Sequence, residues 1–161
     1  MTDDEFVAQL VQMRETMYRI SYVQLQIASD RDDAVQETLL KAWHNRHKLR
    51  DERYMQTWVI RILINECHNI HRRQKREVVT EAVPEQAASD NSYIELFDAL
   101  FRLDEKLYLP VLLHYIEGYR VEEVSNILGI PKGTVLWRLS KARKELSLML
   151  DADGDSCDQK V

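Results

Sequence analysis

Between Val78 and Ser92 the chain reads VVTEAVPEQAASDNS, and this stretch, more than any other, limits what the polypeptide can become. It has no helical periodicity, carries Pro84 and small polar residues, and lies between two strongly periodic blocks, so it reads as a flexible linker. A chain of 161 residues can form one domain or two small ones. The interruption selects two, over 1–77 and 93–150, joined by 78–92. The end of the chain, DADGDSCDQKV over 151–161, is too poor in apolar side chains to fold alone and is expected to be a frayed, disordered tail.

Both blocks are helical in pattern. Only 4 Gly and 3 Pro stand against 30% charged residues, and Leu, Glu, Arg and Gln are abundant, so the expected fold class is all-α. Thr2 and Glu5 form a capping-box pattern, and the recurrence of Phe6, Leu10, Met13, Met17 and Ile20 predicts one long amphipathic first helix. Ser29 is placed to cap a second helix with Val35, Leu39, Ala42 and Trp43 inward, and Asp32, Asp33, Gln36, Glu37 and Lys41 largely on its other faces. A third runs from about Tyr54 to Arg73. In the second block, Tyr93–Leu103 and Leu107–Glu117 are helical candidates, the latter ended by Gly118. Val121 to Leu128 makes a short helix stopped by Gly129, and a last helix starts near Thr134 and reaches about Leu150.

Several function classes are disfavoured. The first residues, MTDDEFVAQL, are acidic where a secretory signal is basic, and the most apolar run, WVIRILI, is broken by Arg61 well short of a membrane span. A cytoplasmic protein without membrane insertion is expected. Cys67 and Cys157 are too few and too differently placed to make a disulfide framework. Cys67 and His71, with His68 adjacent and His44 and His47 upstream, superficially offer zinc ligands, but no CxxC or HExxH spacing completes the set and Cys67 lies toward the core. No metal or other cofactor is expected. Neither a nucleophile–base pair nor a phosphate-cradling Gly-rich loop is present, so the chain does not read as an enzyme.

Charge is the informative total because it is uneven. The net charge is −5, yet HRRQKR and PKGTVLWRLSKARK are strongly basic. Each patch could neutralise about 3–4 phosphates, which makes either one alone a weak, salt-sensitive binder. On the last helix Val135, Leu139, Ala142, Leu146 and Met149 share one side, and Trp137, Ser140, Lys141 and Lys144 the other. Preceded by a short helix and the turn GIPKG, this is the pattern of a helix–turn–helix whose second helix enters the major groove, with Thr134 as its expected cap. On the third helix Met55, Val59, Ile62, Leu63 and Ile70 define the core side, and Trp58, Arg61, Asn65, His68 and Arg72 step along the opposite side. An aromatic, an amide and cations so interleaved suit unstacked bases and a sugar–phosphate chain.

These blocks, in this order and spacing, resemble the extracytoplasmic-function group of bacterial RNA polymerase sigma factors of the sigma-70 family, from about Phe6 to Leu150. DDAVQETLLKAW followed by TWVIRILINECHNIHRRQKR is similar to the family's clamp-binding helix and its promoter-melting, −10-reading helix. LYLPVLLHYIEGYRVEEVSNILGIPKGTVLWRLSKARKEL is similar to its −35-reading domain. The resemblance implies a transcription initiation factor whose partners are the polymerase core, through its β′ clamp helices and β flap, promoter DNA and an anti-sigma factor. It places Asp33, Gln36 and Glu37 on the polymerase surface, and Lys41, on the same outer part of that helix, is expected to join them. It places Trp58, Arg61, Asn65, Arg72 and Arg73 on the −10 region, where a base flips from the melted duplex into a pocket, and His68, on the same stripe, is expected to join them. Lys132, Thr134, Trp137, Arg138, Ser140, Lys141, Arg143 and Lys144 fall on the −35 element. Two departures stand out: Leu136-Trp137 replaces the family's usual basic residue and Ser, which favours apolar contact such as with thymine methyls, and Asn69 replaces a common Asp. The competing reading is a free-standing helix–turn–helix regulator that binds duplex DNA as a dimer.

Overall fold

The computed structural model describes residues 1–76 and 94–157, which fall into two separate compact units. The proposed linker 78–92 and residues 158–161 lie outside the described residues. All regular structure among the described residues is helical.

Among its described residues the first unit holds four α-helices, α1 (Asp3–Gln12), α2 (Arg14–Gln24), α3 (Ala28–His44) and α4 (Met55–Arg76), with two single 3-10 turns between α3 and α4. The capping box forms as the sequence indicates, the Glu5 N–H donating to Thr2 Oγ1 at 3.2 Å and the Thr2 N–H to Glu5 Oε2 at 2.7 Å. The single long first helix does not form. It bends at Met13 (φ −79°, ψ −6°), whose N–H is shared between the Gln9 and Leu10 carbonyls. No Gly or Pro marks the site; the bend lets Phe6 and Leu10 before it and Met17 and Ile20 after it all bury their side chains. Ser29 does not cap α3 either, because the helix begins two residues earlier than that cap requires, at Ala28 after Ile27. The turn before it is secured instead by Arg31, which is buried, donates to the Leu25 and Gln26 carbonyls at 3.0 and 3.1 Å, and lies over the Tyr22 ring. Helices α2, α3 and α4 close over a core of Met17, Ile20, Val35, Met55, Ile60 and Leu63.

Cys67 belongs to that core. Burial, reinforced by the neighbouring Glu66 charge, pushes its thiol up to about 12, so it is an inert apolar filler. His71 turns its Nε2 to the Gln24 carbonyl at 2.6 Å, and no metal-ligating group of three side chains exists among the described residues.

The second unit contains α5 (Ile94–Phe101), α6 (Glu105–Val111), α7 (Val121–Leu128) and α8 (Lys132–Cys157). Pro110 lies inside α6, and the chain widens immediately after it into one π turn, Leu112–Ile116. Gly118, at φ +78°, ends this segment, with the Tyr119 N–H donating back to Leu113 at 2.9 Å. Gly129, at φ +65°, ends α7 in the same left-handed conformation. Thr134 is not the cap of α8. Pro131 takes that place, its carbonyl accepting from the Thr134 and Val135 N–H groups at 3.0 and 3.1 Å, because a proline loses no donor at a helix start. Val135, Leu139 and Ala142 pack against α6 and α7. At its far end α8 continues as helix to Cys157, where the sequence suggested a frayed tail from 151. None of the described helices is long and apolar enough to cross a membrane.

Candidate functional site

Three surfaces carry the residues singled out by sequence. The first is the outward face of α3, where Asp33, Gln36 and Glu37 are exposed. Leu40, which the sequence reading passed over, stands among them 54% exposed. Lys41 behaves differently from its neighbours. Its ammonium pairs with Glu66, an almost fully buried carboxylate on α4, and lies 3.8 Å from Glu37. Its charge is therefore committed inside the unit. Beside this face a groove of about 550 Å³ opens between the two helices, lined by Asp33, Glu37 and Leu40 from α3 and by Glu66, Asn69 and Arg73 from α4.

The second surface is the solvent side of α4. Arg61, Asn65, His68 and Arg72 are exposed along one stripe, and Trp58 is half-buried at its start. Arg73 sits off this stripe, on the flank that faces the α3 groove. The helix ends in exposed Arg72, Arg73, Lys75 and Arg76, so positive charge gathers where the helix dipole is negative. Arg61, Asn65 and Arg72 make no hydrogen bond or ion pair among the described residues. Three unpaired polar groups and a flat aromatic on one helix face can stack a base and grip its backbone.

The third surface is α8 with the turn before it. Trp137, Ser140, Lys141, Arg143 and Lys144 are exposed, and Thr134 and Arg138 are half-buried at the margins. Trp137 is 60% exposed and Leu136 50%, with the Lys141 ammonium 5.1 Å from the centre of the indole ring. Two of the basic residues have partners the linear pattern did not reveal. Lys132 reaches back to Glu122 on α7 at 2.6 Å, and that hydrogen bond holds the Glu122 carboxyl below its ordinary range. Arg143 donates to the Tyr115 hydroxyl at 2.6 Å, a contact supplied by the π turn. Both partners come from neighbouring elements, so spacing within α8 could not announce them.

Comparison with known proteins agrees with this geometry. The family model for Sigma-70 region 2 matches residues 10–77 and that for Sigma-70, region 4 matches residues 94–146. The chain is 31% identical over 141 residues to the RNA polymerase sigma factor HrpL of Pseudomonas syringae pv. syringae, covering 77% of this chain and 75% of that protein. It is 27% identical over 139 residues to the ECF RNA polymerase sigma factor SigM of Mycobacterium tuberculosis, covering 83% and 71%. In fold it is similar to the sigma factor RpoE in complex with the anti-sigma factor NepR from Bartonella quintana, with TM-score 0.76, 22% identity and coverage of 92% and 98%. It is similar again to CnrH in complex with the cytosolic domain of CnrY, with TM-score 0.71, 24% identity and coverage of 94% and 91%. With both sigma regions present in order, each on its own helical unit, the chain belongs to the extracytoplasmic-function group of the sigma-70 family.

Proposed function

We propose that this sigma factor, which directs RNA polymerase to promoters, divides the work among its three surfaces: α3 meets the polymerase clamp, α4 engages the −10 region, and α8 reads the −35 element. The observation that carries the division is the separation of charge. Acidic Asp33 and Glu37 stand exposed on α3, whereas the exposed Arg61 and Arg72 lie on α4 and the exposed Lys141 and Lys144 on α8. An acidic ridge with an apolar residue at its centre suits a basic partner helix, Leu40 supplying the anchor and the carboxylates the orientation. The basic faces suit a polyanion. The protein acts by binding and placing, not by catalysis, and it works in the cytoplasm where the polymerase is. An anti-sigma factor, the partner of RpoE in its solved complex, is expected to hold this chain inactive by covering one of these faces.

A net charge of −5 is then an asset. The free factor binds DNA poorly, and the core enzyme supplies most of the nonspecific affinity once the two readers are tethered to it.

Two tests follow. Glu37→Lys is expected to weaken assembly with core polymerase about five-fold, through lost steering and a like-charge contact, measured by titrating labelled factor with core. Unchanged affinity would remove α3 from the interface. Glu122→Gln releases Lys132, so nonspecific duplex binding by the free factor should rise about two-fold and its salt dependence steepen by no more than about one ion. Fluorescence anisotropy across a salt series checks it, and a flat result would place Lys132 away from the phosphates.

A further inference from the structure

Nothing in the general assignment of α8 to the −35 element says which base-pair feature it reads. Leu136 and Trp137 are consecutive, 50% and 60% exposed, and together form a continuous apolar surface near the start of α8, on a face that also carries Ser140, Lys141, Lys144 and, farther along the helix, the exposed Leu148. On the turn below them stands Gly133, which meets nothing: a Cβ built there finds no atom within 4 Å. Packing therefore does not require a glycine, and by helical spacing Gly133 shares the face of Leu136 and Trp137, three and four residues on. Lys141 lies over the indole ring at 5.1 Å, a cation–π contact that limits the ring's rotamers and puts positive charge next to the apolar pair.

We infer that Leu136 and Trp137 form an apolar reader of thymine methyl groups, making them specificity-determining residues for A·T pairs within the −35 element. The inference rests on the placement of α8 in the major groove proposed above. In that groove thymine alone among the bases presents a methyl group, beside its single O4 acceptor, whereas guanine, adenine and cytosine present only donors or acceptors. A leucine opposite those polar edges would strip their water and return no hydrogen bond, so the pair both favours thymine and disfavours the alternatives. The exposed lysines around it match the phosphates on either side of such a contact, which favours DNA over an acid-poor protein surface as the occupant.

The test uses holoenzyme reconstituted from core polymerase and the full chain, on a promoter whose −35 element has been mapped. Each thymine of that element is replaced in turn by deoxyuridine, which removes the methyl group and leaves the Watson–Crick edge unchanged. Half-saturation of competitor-resistant complexes is expected to need about four-fold more holoenzyme for each contacted methyl lost. With Leu136→Ala or Trp137→Ala that penalty should shrink to less than about two-fold, since the side chain that sensed the methyl has gone. Both side chains are at least half exposed, so their removal leaves no core cavity, and the wild-type arm needs no variant at all. Indifference to deoxyuridine, with base-pair changes in the element still harmful, would overturn methyl reading while leaving α8 on the −35 element. Indifference to both would bring down the placement of α8 as well. Loss of core binding in Trp137→Ala, with the methyl penalty intact, would assign the pair to a protein contact and likewise overturn the inference.

Discussion

Lys41→Ala is expected to destabilise the first unit by about 2–3 kcal/mol, a large share of what a small domain has. The cause is the partner it abandons. The Glu66 side chain is only 9% exposed and pairs with Lys41, so removing the ammonium leaves a carboxylate inside the α3–α4 seam with no counter-charge. Breaking a fully buried pair costs about 3–5 kcal/mol, but the Lys41 side chain is 43% exposed, and water can enter beside it, which sets the lower figure. Glu66→Gln removes the charge instead of its neutraliser and should cost about 1 kcal/mol. The double variant should then recover part of the Lys41→Ala loss, because an amide needs no cation. Amide hydrogen exchange over α3 and α4 in the full chain reads all three. A loss below about 0.5 kcal/mol in Lys41→Ala would show that the pair is no more than a surface contact.

Arg72→Ala is expected to slow promoter opening about ten-fold while leaving core affinity within about two-fold. Arg72 is exposed, has no partner among the described residues and sits on the α4 stripe, away from the acidic α3 face. Its loss should therefore cost the fold almost nothing, since exposed substitutions without partners stay within about 0.5 kcal/mol. A charge-assisted contact to the DNA backbone is worth about 1.5–3 kcal/mol, and that is the contact removed. Stopped-flow or permanganate probing of the melted region gives the opening rate, and titration with core gives the affinity. Equal losses in both would mean that α4 serves assembly and not melting.

What the linear chain disclosed and what it concealed divide along the range of the interactions. Thr2 with Glu5, Gly118 and Gly129 act within one turn of themselves, and each ended or began a helix as their chemistry requires. The helix faces were also readable: Val59, Leu63 and Ile70 are buried, and Arg61, Asn65 and Arg72 are exposed, because periodicity is a local property. The bend at Met13 was not, since no breaker residue produces it and only the shared burial on its two sides favours it. Ser29 and Thr134 were plausible caps displaced by neighbours, Ile27 by helix register and Pro131 by its ready carbonyl. The continuation of α8 to Cys157 also went unread, because a polar composition alone does not end a helix already nucleated.

Charges at the site were hardest to apportion. Lys41, Lys132 and Arg143 looked alike in sequence as available cations, yet Glu66, Glu122 and Tyr115 engage them from other elements. Glu66 could have drawn notice as a lone acid on the buried side of α4, and Leu40 as a leucine among acidic outward positions. Which cation an acid will choose is decided only when the helices pack.

The central claim is that this chain gives RNA polymerase a promoter. The most direct measurement is run-off transcription by purified bacterial core polymerase, with and without the protein, on pooled genomic promoter fragments from its host. Discrete transcripts that depend on the protein and start at a fixed distance from shared −10 and −35 sequences are expected. No stimulation, together with specific duplex binding by the protein alone as a dimer, would contradict it and leave a free-standing helix–turn–helix regulator.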